Sequence, residues 1–113
     1  MLTIYHNPRC RKSRETLAII EESNTPVTVV EYLKEVPTAE ELSNVLAKLG
    51  MEAKDLLRKG EAIFKEQFKG QEHSHEEWIQ IMVDNPKLIE RPIVVKGEQA
   101  VIGRPPENVK TLL

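Results

Sequence analysis

The single cysteine of the chain, Cys10, lies among groups that can stabilise a thiolate. It follows a short apolar run and precedes an apolar-periodic segment, which predicts a strand, a tight loop and a helix that starts at the cysteine. A helix start carries unpaired N–H groups and a partial positive charge, which stabilise an anion there. The neighbouring residues that can add positive charge are His6, Arg9, Arg11, Lys12 and Arg14. We therefore expect a reactive thiol with a pKa below the free value of about 8.5, whereas most free cysteines are small buried residues.

Cys10 and Ser13 form a C-x-x-S pattern at the head of the predicted helix. Thioredoxin-like proteins place a redox cysteine at this position because the helix terminus stabilises its thiolate. Since serine occupies the fourth position, the resolving thiol must come from another molecule. One cysteine also excludes an internal disulfide and a cysteine-based zinc site, and it fits a reducing compartment.

Composition limits the classes of partner that the chain can have. The 113 residues carry a net charge of −2, so the chain as a whole is not predicted to bind nucleic acid. The positive charge is local, which favours a small anion as the ligand. No apolar run approaches the roughly 20 residues of a membrane span, and the N-terminus lacks a signal-peptide core, so we expect a cytoplasmic protein. We interpret His73 and His75 as part of a solvated turn and predict no metal site.

The segments around Cys10 predict a β-α-β unit. Leu2 to Tyr5 is a candidate strand, Arg11 to Ser23 a candidate helix, and the β-branched run Val27 to Tyr32 a second strand. Two strands joined by a helix require a parallel pair with a right-handed crossover.

The middle of the chain predicts helices alone. They comprise two helices that begin with the capping boxes Thr38/Glu41 and Ser74/Glu77, and two shorter segments between them, residues 53–59 and 61–68. No Ser/Gly-rich linker separates them from their surroundings. We therefore interpret residues 38–85, approximately, as a helical insertion within a single domain that spans residues 1–113.

The last part of the chain predicts a hairpin and a helix. Ile93 to Lys96 and Gln99 to Ile102 are strands joined by a tight turn, and a helix after Pro106 directs Val109, Leu112 and Leu113 inward. The element order β-α-β, helical insert, β-β-α predicts an α/β protein with a thioredoxin-like, mixed four-stranded sheet. Pro92 stands directly before the third strand, where this fold commonly has a cis-proline that faces the redox cysteine.

Several blocks of the sequence resemble the arsenate reductase family that couples to glutaredoxin and glutathione. They are His6-Asn7-Pro8-Arg9-Cys10 with Ser13-Arg14, Leu56-Leu57-Arg58-Lys59, Asn85-Pro86-Lys87-Leu88, Glu90-Arg91-Pro92-Ile93-Val94-Val95 and Gly103-Arg104-Pro105. The resemblance extends over nearly the full length and keeps the order and spacing of the blocks. One departure is Arg11, where the family usually has a small residue.

The resemblance implies an activity and a set of site residues. Cys10 would attack arsenate, His6 would help keep the thiol ionised, and three arginines would bind the oxyanion. These arginines are Arg58, Arg91 and Arg104, and the supporting loop residues are Asn7, Ser13, Arg14 and Pro92. The independent argument is chemical, because the planar fork of arginine matches a tetrahedral oxyanion bidentately.

The expected function is glutathione- and glutaredoxin-dependent reduction of arsenate to arsenite, as in arsenate detoxification. The expected partners are arsenate, glutathione as co-substrate and glutaredoxin, with no bound cofactor and a monomeric protein. Two alternatives stay open at this point. One is a monothiol, glutaredoxin-like oxidoreductase that acts on glutathionylated proteins. The other is a non-catalytic thiol-switch regulator that binds RNA polymerase, although such relatives usually carry C-x-x-C, which Ser13 argues against.

Overall fold

The computed structural model describes residues 2–113, and its contacts divide the chain into two units. One unit runs up to Glu35 and resumes with Arg91–Leu113, and the other is Val36–Glu90. The grouping of both into a single domain, with an insertion at about 38–85, stays a prediction.

The first unit contains a four-stranded mixed sheet. Its strands are β1 (Leu2–His6), β2 (Val27–Glu31), β3 (Ile93–Lys96) and β4 (Gln99–Ile102), in the order β2-β1-β3-β4. β1 pairs in parallel with β2 and antiparallel with β3, and β3 pairs antiparallel with β4. Parallel β1 and β2 joined by a helix, followed by a β3–β4 hairpin, confirm the predicted thioredoxin-like arrangement.

The strand β1 is one residue longer than the sequence predicts, and the extra residue is His6. Because side chains alternate between the two faces of a strand, His6 shares the buried face with Leu2 and Ile4. The strand therefore delivers a buried imidazole to the loop that carries Cys10.

The helix α1 (Arg11–Glu22) follows that loop and packs in the core of the first unit. The buried side chains of this core are Leu2, Ile4, Ile20, Val94, Val109 and Leu112. The last segment, Pro106–Leu112, is a 3₁₀ helix. Because proline has no backbone N–H, Pro105 and Pro106 leave the start of this helix with two fewer hydrogen-bond donors. Val109 and Leu112 are buried as predicted, but Leu113 lies past the end of the helix and is 40% exposed, so its predicted inward position was wrong.

Gly103 is fixed by the close approach of two elements to its α-carbon. A Cβ at this position would lie 2.5 Å from Thr16 Oγ1 of α1 and 2.8 Å from Pro92 Cγ. The Gly103 N–H also donates to the Pro92 carbonyl at 2.9 Å, and Thr16 Oγ1 donates to the Gly103 carbonyl at 3.4 Å. The glycine thus allows α1 and the segment after β4 to approach each other beside Pro92.

We expect Gly103→Ala to lower the free energy of unfolding by about 1–3 kcal/mol, because the added methyl group overpacks a closed site. Chemical denaturation measures this difference. Gly60→Ala is the matched control, since among the described residues no atom lies within 4 Å of a Cβ built there. If both variants unfold at the wild-type denaturant concentration, the close packing at Gly103 does not contribute to stability.

The second unit consists of helices and turns. Its α-helices are α2 (Ala39–Leu49), α3 (Ala62–Gln67) and α4 (His75–Asp84), with 3₁₀ helices at Ala53–Leu56 and Pro86–Leu88. Both predicted capping boxes form, each with reciprocal hydrogen bonds of 2.8–3.1 Å. The helix predicted for residues 53–59 was wrong beyond Leu56, because Leu57 is extended and forms an antiparallel bridge with Ile89. Among the described residues, no helix has the length and apolar character needed to cross a bilayer.

Candidate active site

Cys10 is the N-cap residue of α1 and is 9% exposed. Its backbone N–H donates to the Asn7 carbonyl at 3.0 Å, and its own carbonyl accepts from the Arg14 N–H at 3.0 Å. The first hydrogen bond closes a turn before the helix, and the second belongs to the first helical turn. Together they place the thiol at the positive end of α1.

Two arginines distant in sequence act on the thiol. Arg104 Nη2 donates to Cys10 Sγ at 3.6 Å, and Arg104 Nε donates to the Arg91 carbonyl at 2.7 Å. The Arg91 guanidinium also hydrogen-bonds the thiol and adds its charge. The sheet therefore brings together three residues predicted for the site, Cys10, Arg91 and Arg104, within the first unit.

The pKa of Cys10 is lowered despite the burial of the thiol. Burial raises this pKa, but the Ser13 backbone N–H, the hydrogen bond from Arg91 and the charges of Arg91 and Arg104 together outweigh burial. The sulfur nevertheless makes no close N-cap hydrogen bond within the described residues. The predicted direction is confirmed.

The predicted cause of that shift was wrong in part. Arg9, Arg11, Lys12 and Arg14 are all exposed, and none of them contributes to the shift, whereas Arg91 and Arg104 do. Although these four cations are close to Cys10 in sequence, their side chains lie on the outside of the loop and of the first helical turn. Exposed charges are screened by solvent and salt, so their effect on a buried thiol is small.

Arg11 illustrates this difference. Its Nε lies 3.2 Å from Glu15 Oε1, and its side chain is 85% exposed. We expect Arg11→Ser to leave the thiol pKa unchanged, because the guanidinium faces Glu15 and solvent. Titration of the thiolate absorbance measures this pKa, and a clear upward shift in the variant would show that Arg11 faces the sulfur.

The lowered thiol pKa also predicts a pH dependence of stability. A group with a lower pKa in the folded state contributes stability above its unfolded pKa, about 8.5 for cysteine, and the contribution is lost as the pH falls through the folded pKa. We therefore expect the stability advantage of the wild type over Cys10→Ser to shrink as the pH is lowered through that range. Denaturant unfolding at several pH values measures the difference, and an advantage that grows toward low pH would contradict it.

His6 acts on the site through Ser13. A hydrogen bond of 2.6 Å joins His6 Nδ1 to Ser13 Oγ, which also accepts from the Asn7 N–H at 3.0 Å. Burial lowers the pKa of His6, and Arg14 adds to this, more than Glu31 and Glu21 raise it. A neutral imidazole supplies no charge to the thiol. Its contact fixes the first turn of α1, whose Ser13 N–H faces the sulfur.

The remaining loop residues hold the backbone around Cys10. Asn7 Oδ1 accepts from the Arg9 N–H at 3.0 Å, and Arg14 Nη1 donates to the Pro8 carbonyl at 3.0 Å. Asn7 therefore lies in the loop before α1, and Arg14, in the first turn of α1, contacts that loop.

The Arg91–Pro92 peptide bond is cis, as this fold commonly has, and the Arg104–Pro105 bond, which the sequence did not suggest, is cis as well. The buried Pro92 ring lies beside Gly103.

Arg58 belongs to the second unit and is held there. Its N–H donates to the Leu88 carbonyl at 2.8 Å, beside the Leu57–Ile89 bridge. Its Nε lies 3.7 Å from Glu90 Oε1, and Nη1 is buried without a hydrogen-bond partner among the described residues. The sequence did not identify Glu90 as the partner of Arg58, because the only indication was its position next to Arg91. The predicted role of Arg58 on the oxyanion stays a prediction.

The two predicted solvated histidines have specific contacts. His75 Nδ1 accepts from the buried Ala53 N–H at 3.1 Å, and the His73 ring lies edge-on to Trp78 with centroids 4.6 Å apart. His75 is exposed and His73 is partly exposed, so the segment faces solvent as predicted, although His75 is already the first residue of α4 and both rings have these specific partners. Within residues 2–113, no group of three or more His, Cys, Asp or Glu side chains is arranged to hold a metal ion.

Comparison with known proteins gives consistent matches over almost the full chain. A family model described as the ArsC family matches residues 5–112. The Escherichia coli (strain K12) protein YfgD is 51% identical over 94% of this chain and 91% of its own length. An arsenate reductase of the same organism is 38% identical over 99% of this chain and 80% of its own. The solved structure of an arsenate reductase from Vibrio cholerae has a TM-score of 0.94 and 44% identity, over 99% of this chain and 97% of that one.

Proposed function

Because the chain belongs to the ArsC family, we propose that it reduces arsenate to arsenite with Cys10 as the nucleophile. The observation that carries the proposal is the pair of arginines on the thiol, with Arg104 Nη2 at 3.6 Å from Cys10 Sγ and Arg91 hydrogen-bonded to the same sulfur. Several relatives that are 36–38% identical are named arsenate reductase.

The substrate class follows from the charges around the sulfur. Arsenate is a tetrahedral anion with one to two negative charges at neutral pH. Arg91 and Arg104 offer planar donor forks, which match such an oxyanion better than a lysine ammonium does. The first turn of α1 adds backbone N–H groups and the positive end of the helix dipole. The same groups that lower the thiol pKa can therefore hold arsenate beside it.

The first step is attack of the Cys10 thiolate on arsenic. The S–As bond forms, an arsenate oxygen leaves as water after taking up protons, and arsenic stays in oxidation state V. Arg91 and Arg104 stabilise the oxyanion while the sulfur loses its charge. No other cysteine of the chain can supply the electrons for the next step.

The second step needs an external thiol, and we assign glutathione to it. Glutathione attacks the adduct, and its sulfur and that of Cys10 lose two electrons as they form a disulfide. Arsenic gains these two electrons and leaves as arsenite. Glutaredoxin then reduces the mixed disulfide by thiol–disulfide exchange and returns Cys10 to the thiolate. This reductant requires a reducing compartment, so we place the activity in the cytoplasm.

In this mechanism, His6 positions other groups and does not transfer a proton. Its neutral ring fixes Ser13, whose backbone N–H lowers the thiol pKa. Arg58 would add a third donor set to the oxyanion, as the resemblance implies. The protein would act as a monomer without a bound cofactor.

The test is steady-state arsenite production with purified components. We expect turnover with glutathione, glutaredoxin and glutathione reductase together, and a loss of turnover when glutathione or glutaredoxin is left out. Full activity with thioredoxin and thioredoxin reductase instead would overturn the assigned reductant but not the arsenate chemistry.

Two further measurements separate the alternatives. Deglutathionylation of a glutathionylated protein, without any arsenate reduction, would establish the glutaredoxin-like activity instead. Capture of RNA polymerase subunits by a chain that lacks both activities would establish the regulator.

A further inference from the structure

The second unit contains a cavity of about 650 Å³ that the thiol chemistry does not use. This volume is in the range of small-molecule sites. Its lining comes entirely from residues between Lys54 and Trp78, so the cavity is formed within that unit.

The charge of the lining is opposite to that of the chain. Four lysines line the cavity, Lys54, Lys59, Lys65 and Lys69, against one acidic residue, Glu72. The formal charge of the lining is therefore +3 with His73 neutral, whereas the chain carries −2. Lys54 lies 3.6 Å from Glu52, whereas Lys65 on α3 and Lys69, just past the end of that helix, are both exposed. The net positive charge of the lining therefore favours an anion as the ligand.

The interior of the cavity is aromatic. Trp78, which is 6% exposed, stacks with Phe64 at a centroid distance of 6.4 Å, and both rings contribute to the lining. Leu57 adds an aliphatic surface. An apolar group that packs against these side chains would lose water-exposed surface, while a charged group at the rim would meet the lysines.

One wall is fixed by hydrogen bonds. Gln71 Nε2 donates to the Gln67 carbonyl at 2.6 Å, and Gln71 Oε1 accepts from His73 Nε2 at 2.8 Å. The His73 ring is then held edge-on to Trp78. Because hydrogen bonds already hold these side chains, ligand binding would cost little side-chain conformational entropy.

We infer that this cavity binds a small organic anion in which a planar apolar group carries two negative charges, as in an aryl phosphate. Lysines bind phosphate as point charges, and the aromatic interior accepts the ring. The assignment concerns the second unit alone and is independent of arsenate reduction.

Trp78, the only tryptophan of the chain, reports binding directly through its fluorescence. The probes are phenyl phosphate, inorganic phosphate and phenol, titrated into Cys10→Ser protein, with calorimetry in parallel. We expect saturable binding of phenyl phosphate with a Kd of about 1 mM or below, and much weaker binding of the two fragments. Added salt should weaken the binding.

The lysines are tested by a double variant and its matched control. Lys65→Gln with Lys69→Gln should weaken phenyl phosphate binding by at least about tenfold, whereas Lys96→Gln with Lys110→Gln, exposed lysines outside the cavity, should leave it unchanged. Absence of saturable binding would overturn the site. Phenol binding as tightly as phenyl phosphate would overturn the anion requirement, and equal binding of inorganic phosphate would overturn the aromatic one. Since the readout needs no thiol, a failure here leaves the proposed reductase untouched, and the reverse also holds.

Discussion

Cys10→Ser should abolish arsenite production and leave the fold intact. A serine hydroxyl is scarcely ionised at neutral pH and is a poor nucleophile without an adjacent base. His6 would not serve as that base, because its Nδ1 is hydrogen-bonded to Ser13 Oγ at 2.6 Å. The chain has no second cysteine to substitute for the first. We expect turnover to fall at least about a thousandfold, as removal of a nucleophile does in other enzymes.

The measurements are arsenite release, thiol labelling and thermal unfolding. The wild type should take up one equivalent of an alkylating reagent, with loss of activity in step with labelling, and the variant should take up none. Because serine is close to cysteine in size, the melting temperature should change only slightly. Turnover within about tenfold of the wild type would contradict a nucleophilic role for Cys10.

Arg91→Ala and Arg104→Ala should each lower kcat/KM for arsenate by roughly ten- to a hundredfold. Each change removes charge-assisted hydrogen bonds worth about 1.5–3 kcal/mol, and 1.4 kcal/mol corresponds to a factor of ten. Each should also raise the thiol pKa, since both charges lower it in the wild type. The activity should then fall further as the pH is lowered, because a smaller fraction of the thiol is ionised.

The control for both arginines is Arg11→Ala. It removes the same charge next to Cys10 but from an exposed side chain paired with Glu15, so kinetics and thiol pKa should stay at wild-type values. Lysine at position 91 or 104 should restore part of the activity, because it keeps the charge and loses the fork. Arg58→Ala belongs in the same series and tests the role that the resemblance assigns to it. Wild-type kinetics for Arg91→Ala and Arg104→Ala would show that the thiol-bound arginines do not hold arsenate.

Local patterns in the sequence predicted the local parts of the fold. The capping boxes at Thr38 and Ser74 form as expected, because each depends on residues only three positions apart. The helix predicted through Lys59 fails for the opposite reason, since Leu57 pairs with Ile89, 32 positions later in the chain. A helical pattern carries no information about a partner that far away.

The site shows the same division. The helix start and the neighbouring cations together predicted a lowered pKa for Cys10, and of these the helix start contributes, through the Ser13 backbone N–H, because that effect is local. The cations that contribute to the shift are 81 and 94 positions away, at Arg91 and Arg104, and they were indicated by the resemblance to a family and by their places beside proline at the ends of predicted strands, not by closeness to Cys10. The prediction that the four cations beside Cys10 lower its pKa was wrong, because closeness along the chain does not give the direction of their side chains.

The Arg104 guanidinium donates to two acceptors, and only one of them would change its charge during the proposed reaction. Nη2 donates to the Cys10 sulfur, whose charge would disappear in every turnover of the proposed reaction, while Nε donates at 2.7 Å to the Arg91 carbonyl, which no proposed step alters. When the sulfur is tied up as an adduct or a disulfide, the guanidinium keeps its main-chain anchor and therefore its place. The Arg104 side chain loses its torsional freedom once, when the chain folds, and not again in each turnover. Each new thiolate would therefore form beside a guanidinium that is still in place.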